Sequence, residues 1–385
     1  MACIPERLPV FVKGGATKFT ELSDAPSSYS GQAGKAVKVK TTEDGLEFGT
    51  VVGGKRTATK IVAANDSLDK TLADYVCDGT ADQEEINAAI NALPTFGGRV
   101  LLLEGTYNIS APITILKNNV TLEGQGAGTK LFLVNGSNCS VIKVGNGSTA
   151  LEGFRIANLK IDGNKGNQTS SSYGIYFYGD EEYLITKSII ENCIVENCLH
   201  YGIYLLYSDY NIIRGNQANS NGYAGIHFEN ASNNTITGNQ ANSNGNAGIY
   251  VGYSYNDIIT GNQANSNGNA GIYVSVGVDN IIIGNQAFLN GYYGIYLTTA
   301  SHNTINDNQA KLNGLDGIYL NSSNNNTIIG NKCKENYNYG LNISDSSSCL
   351  NFVVKNYLTG NTAGSFNDSG EGTIKEVNTT NDNVV

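Results

Sequence analysis

Residues 242–264 have the sequence NSNGNAGIYVGYSYNDIITGNQA, and residues 265–287 have the sequence NSNGNAGIYVSVGVDNIIIGNQA. This 23-residue pattern recurs from about residue 196 to residue 333, and a glycine before an aliphatic residue marks each copy. The marker glycines are Gly202, Gly225, Gly248, Gly271, Gly294, Gly317 and Gly340. A fixed period of this length is typical of a solenoid, in which each repeat buries its apolar face against the next.

Each repeat contains a period of two, as expected for a β-strand whose alternate side chains point to opposite faces. Ile249, Tyr250 and Val251 show this pattern after one marker glycine. A second strand is indicated by the column Ile213, Ile236, Ile259, Ile282, Ile305, Ile328 and Val353, and a third by Ala218, Ala241, Ala264, Ala287, Ala310 and Cys333. The sequence therefore predicts an all-β protein, a right-handed single-stranded parallel β-helix with 23-residue coils over residues 98–358. A leucine-rich repeat has a similar length, but leucine is scarce here and no segment matches its helix.

Asparagine forms columns at the same period. One column contains Asn221, Asn244, Asn267, Asn290, Asn313 and Asn336, a second contains Asn216, Asn239, Asn262, Asn285, Asn308 and Asn331, and a third contains Asn234, Asn280, Asn303 and Asn326. Asparagine tolerates left-handed backbone, and stacked amides can hydrogen-bond along the stack. We interpret these columns as structural.

The bulk composition excludes several classes of partner. The net charge is −10, and only 15% of residues are charged, so the sequence predicts no binding to nucleic acid or membranes. No apolar run is long enough to span a bilayer, and the N-terminus lacks the apolar region of a signal peptide. The seven cysteines show no zinc spacing, and Cys198 and Cys333 fall in buried columns. We predict no metal site and no cofactor, and leave a structural or catalytic Ca²⁺ open.

The N-terminal segment differs from the repeats, since its apolar signal is thin and strands are indicated only at 36–40 and 46–48. Residues 19–48, FTELSDAPSSYSGQAGKAVKVKTTEDGLEF, resemble the short modules of bacteriophage tail fibres and tailspikes. The resemblance implies that residues 1–55 form an attachment or oligomerisation module, that the chain forms a homotrimer, and that the partner is a virion baseplate or tail protein. It also implies a virion or extracellular location.

Residues 78–93, DGTADQEEINAAINAL, predict one helix, with a capping box of Thr80 and Gln83, and Pro94 ends it. Residues 56–97 would be an arm and a capping helix that covers the open end of the stack. We expect residues 359–385 to be a polar tail.

The helix and the strands GGRVLLLEGTY and VTLEGQG that follow it resemble the start of the pectate-lyase-like β-helix superfamily. The later coils resemble the β-helix repeats of periplasmic copper-maturation proteins and alginate epimerases. The superfamily includes polysaccharide lyases, glycoside hydrolases and phage tailspikes, so the resemblance implies the fold more strongly than an activity.

One coil breaks the period, because Gly174 and Gly202 are 28 residues apart. The excess falls near residues 179–183, GDEEY. We predict Glu182 and Asp209 as a catalytic pair about one coil apart, with Glu229 close by. The alternative is that these are solvated acidic side chains. The Asp-Pro-His string of alginate epimerases is missing, and Arg155 and Arg214, as possible bases of a lyase, have no partner motif.

An aromatic column follows each marker glycine by two residues. Its members are Tyr204, His227, Tyr250, Tyr273, Tyr296 and Tyr319. Outward rings offer flat apolar faces with a polar tip, so we predict that they bind carbohydrate. Two alternatives are cross-strand stabilisation and a subunit interface.

Three hypotheses of function follow. The first is a virion-associated tail fibre or tailspike-like protein that recognises host surface polysaccharide. The second is an enzyme, a polysaccharide lyase or glycoside hydrolase, and the third is a structural β-helix adhesin without catalysis. The tail-fibre-like N-terminal module favours the first, and the missing enzyme motifs weaken the second.

Overall fold

The computed structural model describes residues 28, 30, 35–39, 46–49, 58–376 and 378–380. The chain divides into two compact units, residues 1–56 and 57–385. In the first unit, Ala36–Val39 pairs antiparallel with Leu46–Gly49, close to the two predicted strands. The rest of the predicted attachment module lies outside the described residues, so its role stays a prediction.

The second unit is a right-handed parallel β-helix of about 12 turns, as predicted. Most coils contribute a strand to each of three stacked sheets, which we call sheet 1, sheet 2 and sheet 3. Sheet 1 holds the aromatic column and has 11 strands. These strands are Ile113–Ile115, Ile142–Val144, Ile175–Tyr178, Ile203–Leu206, Ile226–Glu229, Ile249–Gly252, Ala270–Ser275, Tyr293–Thr298, Ile318–Asn321, Tyr339–Ile343 and Gly364–Asp368.

Sheet 2 has 14 strands and carries the isoleucine column. Its strands are Tyr75–Val76, Thr59–Ala63, Gly98–Leu102, Val120–Glu123, Arg155–Ala157, Ile189–Glu191, Ile212–Arg214, Thr235–Thr237, Ile258–Thr260, Ile281–Ile283, Thr304–Asn306, Thr327–Ile329, Phe352–Val354 and Ile374–Glu376. A short extra sheet lies beside the bulged coil and consists of Leu151–Glu152, Ile185–Thr186 and Ser208–Asp209.

Sheet 3 carries the alanine column in two blocks of five strands. The first block is Gly105–Ile109, Thr129–Leu133, Lys160–Asp162, Ile194–Glu196 and Gln217–Asn219, and the second is Gln286–Phe288, Gln309–Lys311, Lys332–Lys334, Tyr357–Thr359 and Thr379–Thr380. Between the blocks, single bridges through Gln240 and Gln263 continue the stack.

The register keeps equivalent residues directly above one another. In sheet 1, Ile249 pairs with Ile272 and Tyr250 with Tyr273, and both pairs are parallel. Because the offset equals the sequence period, each column of identical side chains becomes a stack. Ile259 and Ile282 are both completely buried in the isoleucine column, so the stack forms a continuous apolar core.

The asparagine columns are hydrogen-bonded ladders, as predicted. The Oδ1 of Asn262 accepts from the backbone nitrogen of Asn239 at 2.9 Å and from the Asn239 Nδ2 at 3.0 Å. The Nδ2 of Asn262 donates to the Ile236 carbonyl at 2.9 Å and to the Asn285 Oδ1 at 3.0 Å. Each buried amide therefore satisfies backbone groups at a turn and links to the amide of the next coil.

Helix α1 spans Gln83–Asn91 and buries Ile86, Ala89 and Ile90 against the first coils. The predicted capping box is wrong, because Asp82 is the N-cap residue and makes no side-chain cap hydrogen bond. Its carboxylate instead accepts from the backbone nitrogens of Gly79 and Asn108. Two single-turn 3₁₀ helices follow at Gly126–Gly128 and Lys165–Asn167.

The stack is longer at both ends than the predicted range of 98–358. Thr59–Ala63 already pairs with Gly98–Leu102, so part of the predicted arm is a coil strand. At the other end, strands within residues 364–380 pair with the coil before them, so most of the predicted polar tail belongs to the β-helix. Asn361 and Asn378 continue the ladders there, which provides the physical reason.

No helix in the described part of the chain is long and apolar enough to cross a membrane.

Candidate functional site

The outer face of sheet 1 presents an unbroken stack of rings. We call this set the aromatic column, and it contains Tyr176, Tyr204, His227, Tyr250, Tyr273, Tyr296 and Tyr319. Neighbouring ring centroids are between 4.4 and 5.2 Å apart. This distance follows from the spacing of parallel strands, so the β-helix itself holds the rings in contact. The 23-residue period did not indicate Tyr176, because the bulge shifts this residue out of the period.

A second row of aromatic side chains lies beside the column at its two ends. Tyr173 stacks on Tyr201 at 5.4 Å, and Tyr293 stacks on Tyr319 at 4.5 Å. The equivalent residues of the middle coils are small and buried, namely Ala224, Ala247 and Ala270. The aromatic surface is therefore wide at both ends and one ring wide in the middle. Tyr173 and Tyr201 lie at the same spacing before Tyr176 and Tyr204, and this shared spacing could have indicated the second row from the sequence.

The rings are less exposed than the prediction of an outward column suggested. Tyr204, Tyr250 and Tyr273 are half-buried, because each ring covers part of the next. Burial raises the pKa of all three phenols, so they stay protonated near neutral pH. The column thus offers ring surface together with hydroxyl donors.

His227 interrupts the column and is only 5% exposed. Its Nε2 lies 3.1 Å from the Oε2 of Glu229. Burial lowers the pKa of His227, and the hydrogen bond to Glu229 only partly offsets this. The ring is therefore neutral at neutral pH, and it donates the Nε2–H since a carboxylate can only accept.

Gly252 pairs with Glu229 on the next strand and makes room for its carboxylate. A Cβ at this glycine would lie 2.8 Å from the Glu229 Oε2 and 2.7 Å from the Tyr250 Cε1. The equivalent residue of the following coil is Ser275. The carboxylate is consequently held among aromatic rings at one point of the column, and the sequence pattern did not indicate this arrangement.

The predicted catalytic residues have different surroundings. Glu182 is exposed in a turn closed by hydrogen bonds between Asp180 and Tyr183. Its carboxylate makes no hydrogen bond or ion pair with any residue that the structure describes, and it lines a cavity of about 390 Å³ that also contains Glu152. Glu152 forms an ion pair with Lys187 at 2.6 Å.

Asp209 pairs with Thr186 in the short extra sheet. Its Oδ1 accepts from the Ser232 nitrogen at 2.7 Å, and burial raises the pKa of Asp209. Within the described residues, no contact joins Asp209 to Glu182, and Glu229 contacts His227 rather than Asp209. The proposed pairing of the two acids in catalysis stays a prediction.

Arg155 and Arg214 are not free bases. Arg155 contacts Glu123 at 3.2 Å and Glu191 at 2.6 Å, and Arg214 contacts Glu191 at 2.5 Å. Arg99 extends this line through Glu123 at 3.0 Å. The five side chains form an ion-pair ladder on the outer face of sheet 2, which indicates a structural role.

One group of potential metal ligands occurs in the described part of the chain, formed by Cys77, Asp82 and Glu85. Burial raises the pKa of the Cys77 thiol, and the Asp82 carboxylate is already used by two backbone nitrogens. Two of the three potential ligands are therefore engaged or protonated, and only Glu85 keeps a buried oxygen without a partner among the described residues.

The family described as "Right handed beta helix region" matches residues 123–310. The second unit of the chain has the right-handed parallel β-helix fold that this family describes. A second β-helix family, described as "Periplasmic copper-binding protein (NosD)", matches residues 240–384. That segment contains one histidine, two cysteines and no methionine, and His302 is exposed while Cys333 is buried. These residues of the β-helix do not fit a copper site.

Several solved β-helix structures are similar to this chain. The A-module of the mannuronan C-5 epimerase AlgE6 of Azotobacter vinelandii has 21% identity and a TM-score of 0.62, over 78% of this chain and 96% of that one. ORF18 of Geobacillus virus E2 has 16% identity and a TM-score of 0.52, over 91% of this chain and 67% of that one. A DFA-IIIase from Arthrobacter chlorophenolicus A6 has 14% identity and a TM-score of 0.57, over 81% and 86%.

At these identities the similarity concerns the fold. A search of curated proteins by sequence finds no match.

Proposed function

We propose that this β-helix binds host surface polysaccharide through the aromatic column, as part of a virion-associated fibre or spike. The observation that carries the proposal is the unbroken ring stack from Tyr176 to Tyr319 on the outer face of sheet 1. Half-buried rings in fixed positions lose little entropy when they bind, and their faces suit the apolar faces of sugars. A long polymer can contact several coils at once, which favours a polysaccharide over a single sugar.

Two further observations support the virion part of the proposal. The segment 19–48 resembles tail-fibre modules, and the virus structure named above covers most of this chain. Several similar solved structures are enzymes whose names refer to mannuronan or alginate, so the fold is compatible with a polysaccharide ligand. A location on the virion or in the extracellular or periplasmic space follows from this proposal.

Ring removal tests the binding site. The double variant Tyr250→Ala and Tyr273→Ala removes two adjacent rings and should weaken polysaccharide binding by at least about tenfold. A glycan array followed by affinity electrophoresis measures the effect. The matched control is Tyr210→Ala with Tyr357→Ala, two tyrosines outside sheet 1 that are 59% and 40% exposed. Equal affinity of both double variants for the glycan would contradict the proposal.

The assembly part of the proposal has its own test. A chain of 40.8 kDa that forms a homotrimer through residues 1–55 should scatter light as a particle of three times this mass. Removal of residues 1–55 should convert the trimer into monomers. A monomeric mass of the full chain at micromolar concentration would contradict this part and leave the binding proposal standing.

A second candidate function is glycan cleavage at the bulged coil. Glu152 and Glu182 line one cavity there, and burial raises the pKa of Asp209, which pairs with the lining residue Thr186. A protonated and an ionised carboxyl are the requirement of acid–base cleavage of a glycosidic bond. Mass spectrometry of the bound polysaccharide would detect products, and Glu182→Gln or Asp209→Asn should abolish them without loss of binding. Binding without any product would instead favour a fibre or adhesin.

A further inference from the structure

The middle of the aromatic column lies in a region without basic side chains. No lysine or arginine occurs between Arg214 and Lys311, a stretch of more than four coils. The acidic residues of the same stretch that reach the surface are Glu229, Asp279 and Asp307, whereas Asp257 is completely buried. The field over this part of the surface is therefore negative, apart from any charge that histidine contributes.

Histidine adds no positive charge to the aromatic column at neutral pH. His227 is the histidine within the ring stack, and it is buried beside Tyr204 and Tyr250 with centroid distances of 4.9 and 4.4 Å. Desolvation keeps its ring neutral, as described above. The other histidine of the stretch, His302, lies in an exposed turn after sheet 1.

Glu229 is the one acidic side chain in the sheet 1 strands of this stretch, and one of its oxygens is available. Its Oε2 accepts from His227, whereas its Oε1 has no partner among the described residues, and the side chain is 26% exposed. The Tyr201 and Tyr204 phenols lie close enough for the Glu229 charge to contribute to their raised pKa values. An oriented acceptor among ring faces is suited to a hydroxyl group of a sugar that packs on those rings.

We propose that the central part of the aromatic column selects uncharged polysaccharides, with a sugar hydroxyl donating to Glu229, and rejects polyuronates. This inference rests on the proposed function, since it names the substrate class of the same surface. A uronate carboxylate on this part of the column would face Glu229 with no lysine or arginine from residue 215 to residue 310 to pair with it. Glu229 is thus a specificity-determining residue, and Gly252 positions it.

Affinity electrophoresis of the full chain tests the inference with two sets of gels. One set contains neutral polymers, namely dextran, a galactomannan and a β-1,3-glucan, and the other contains polygalacturonate and chitosan. Each gel is run at about 0.01 M and at about 1 M salt, between which the Debye length falls from about 30 to about 3 Å. We expect retention by at least one neutral polymer with a dissociation constant that salt does not change.

Three variants test whether Glu229 is responsible for the selection of neutral polysaccharides. Glu229→Gln and Gly252→Ala should each weaken retention by the neutral polymer by about tenfold, the second because the new methyl group displaces the carboxylate. Thr298→Ala is the matched control, three coils beyond Glu229 at the same edge of sheet 1, and should retain wild-type affinity. Thermal melting of each variant confirms that it is folded.

The possible outcomes separate this inference from the proposed function. Retention by polygalacturonate or chitosan that is stronger than by every neutral polymer would overturn the inference and leave the proposed function intact. Unchanged neutral binding in Glu229→Gln would also overturn it. Retention by no polymer would contradict the proposed function itself, and the inference would fall with it.

Discussion

The Oδ1 of Asp257 lies 2.7 Å from the backbone nitrogen of Asn234, at a ladder position where the other coils carry asparagine. In those coils the side-chain nitrogen can donate to a carbonyl 26 residues earlier, as Asn303 does to Gly277. Asp257 has an oxygen in its place, and this Oδ2 is buried without a partner among the described residues. Burial without a partner disfavours an ionised carboxylate, so the protonated form fits the ladder better.

Burial accordingly raises the pKa of Asp257 from its ordinary value of 3.8 to about 8. Between these values the unfolded chain loses the proton and the folded chain keeps it, so stability falls as pH rises. Asp257→Asn restores the amide and should raise the free energy of unfolding by an amount that grows by at least about 1 kcal/mol from pH 4 to pH 8. Urea titrations across this range measure it. Asp279→Asn, at an exposed carboxyl, is the control and should show no such growth.

The lowered pKa of His227 predicts that stability depends on pH in the direction opposite to the effect of Asp257. Its pKa lies below the ordinary value of 6.5, so the unfolded chain takes up a proton first and stability falls as pH drops below about 6.5. His227→Tyr restores the column residue and should remove this acid sensitivity. The difference in melting temperature between variant and wild type should increase from pH 7.5 to pH 5, that is, from above to below this value. His302→Tyr is a control, because Tyr210 occupies the equivalent turn with the same left-handed backbone.

Two adjacent isoleucines of one sheet 2 strand should respond very differently to the same change. Ile259 is completely buried in the isoleucine column, whereas Ile258 is 39% exposed. Ile259→Asp places a charge without a partner in the core, which should cost several kcal/mol and prevent soluble expression. Ile258→Asp should leave expression unchanged and shift the melting temperature by only a few degrees. Equal expression of both variants would contradict the assignment of inner and outer faces.

The ladders should contribute strongly to stability. Asn262→Ala removes four hydrogen bonds, among them those made by the Asn239 backbone nitrogen and the Ile236 carbonyl. We expect a loss of at least about 3 kcal/mol in the free energy of unfolding, measured by urea denaturation. Asn269→Ala changes an asparagine whose side chain makes no hydrogen bond in the described structure and should stay within about 0.5 kcal/mol. A small effect at Asn262 would mean that water replaces the lost bonds.

Much of the architecture was predictable because equivalent residues recur at one spacing. Columns such as that of Ile259 identify an inner face without any knowledge of contacts. The prediction stopped at residue 358 because polar residues follow in the apolar columns, where Val353 pairs with Lys375 and Leu358 with Thr380. The loss of the apolar pattern hid strands that backbone pairing still connects to the stack.

The candidate site was less predictable, since it depends on departures from the repeat. Glu229 is two residues after His227 in the sequence, but only the missing side chain of Gly252 shows that the carboxylate lies over the neighbouring strand. Asp257 was likewise invisible as a protonation site, because burial and the loss of a donor are properties of the folded ladder. The fold of a repeat protein follows from what its coils share, and its chemistry follows from where they differ.

The first asparagine ladder has a consequence for the chemical ageing of the chain. Five of its residues precede glycine, and they are Asn221, Asn244, Asn267, Asn290 and Asn313. Asn-Gly deamidates when the glycine nitrogen attacks the side-chain amide carbon. In the β-helix this nitrogen is occupied, as when Gly245 donates to the Asn221 carbonyl at 2.9 Å, and the side-chain amide of Asn244 donates to the Asn267 Oδ1 of the next coil.

An unfolded chain has neither restraint, so asparagine at these positions deamidates to aspartate while the chain is unfolded. Each conversion replaces a buried donor with a carboxylate and obstructs the return to the folded state. The same hydrogen bonds that hold the coils together therefore also set how long the covalent chain stays intact.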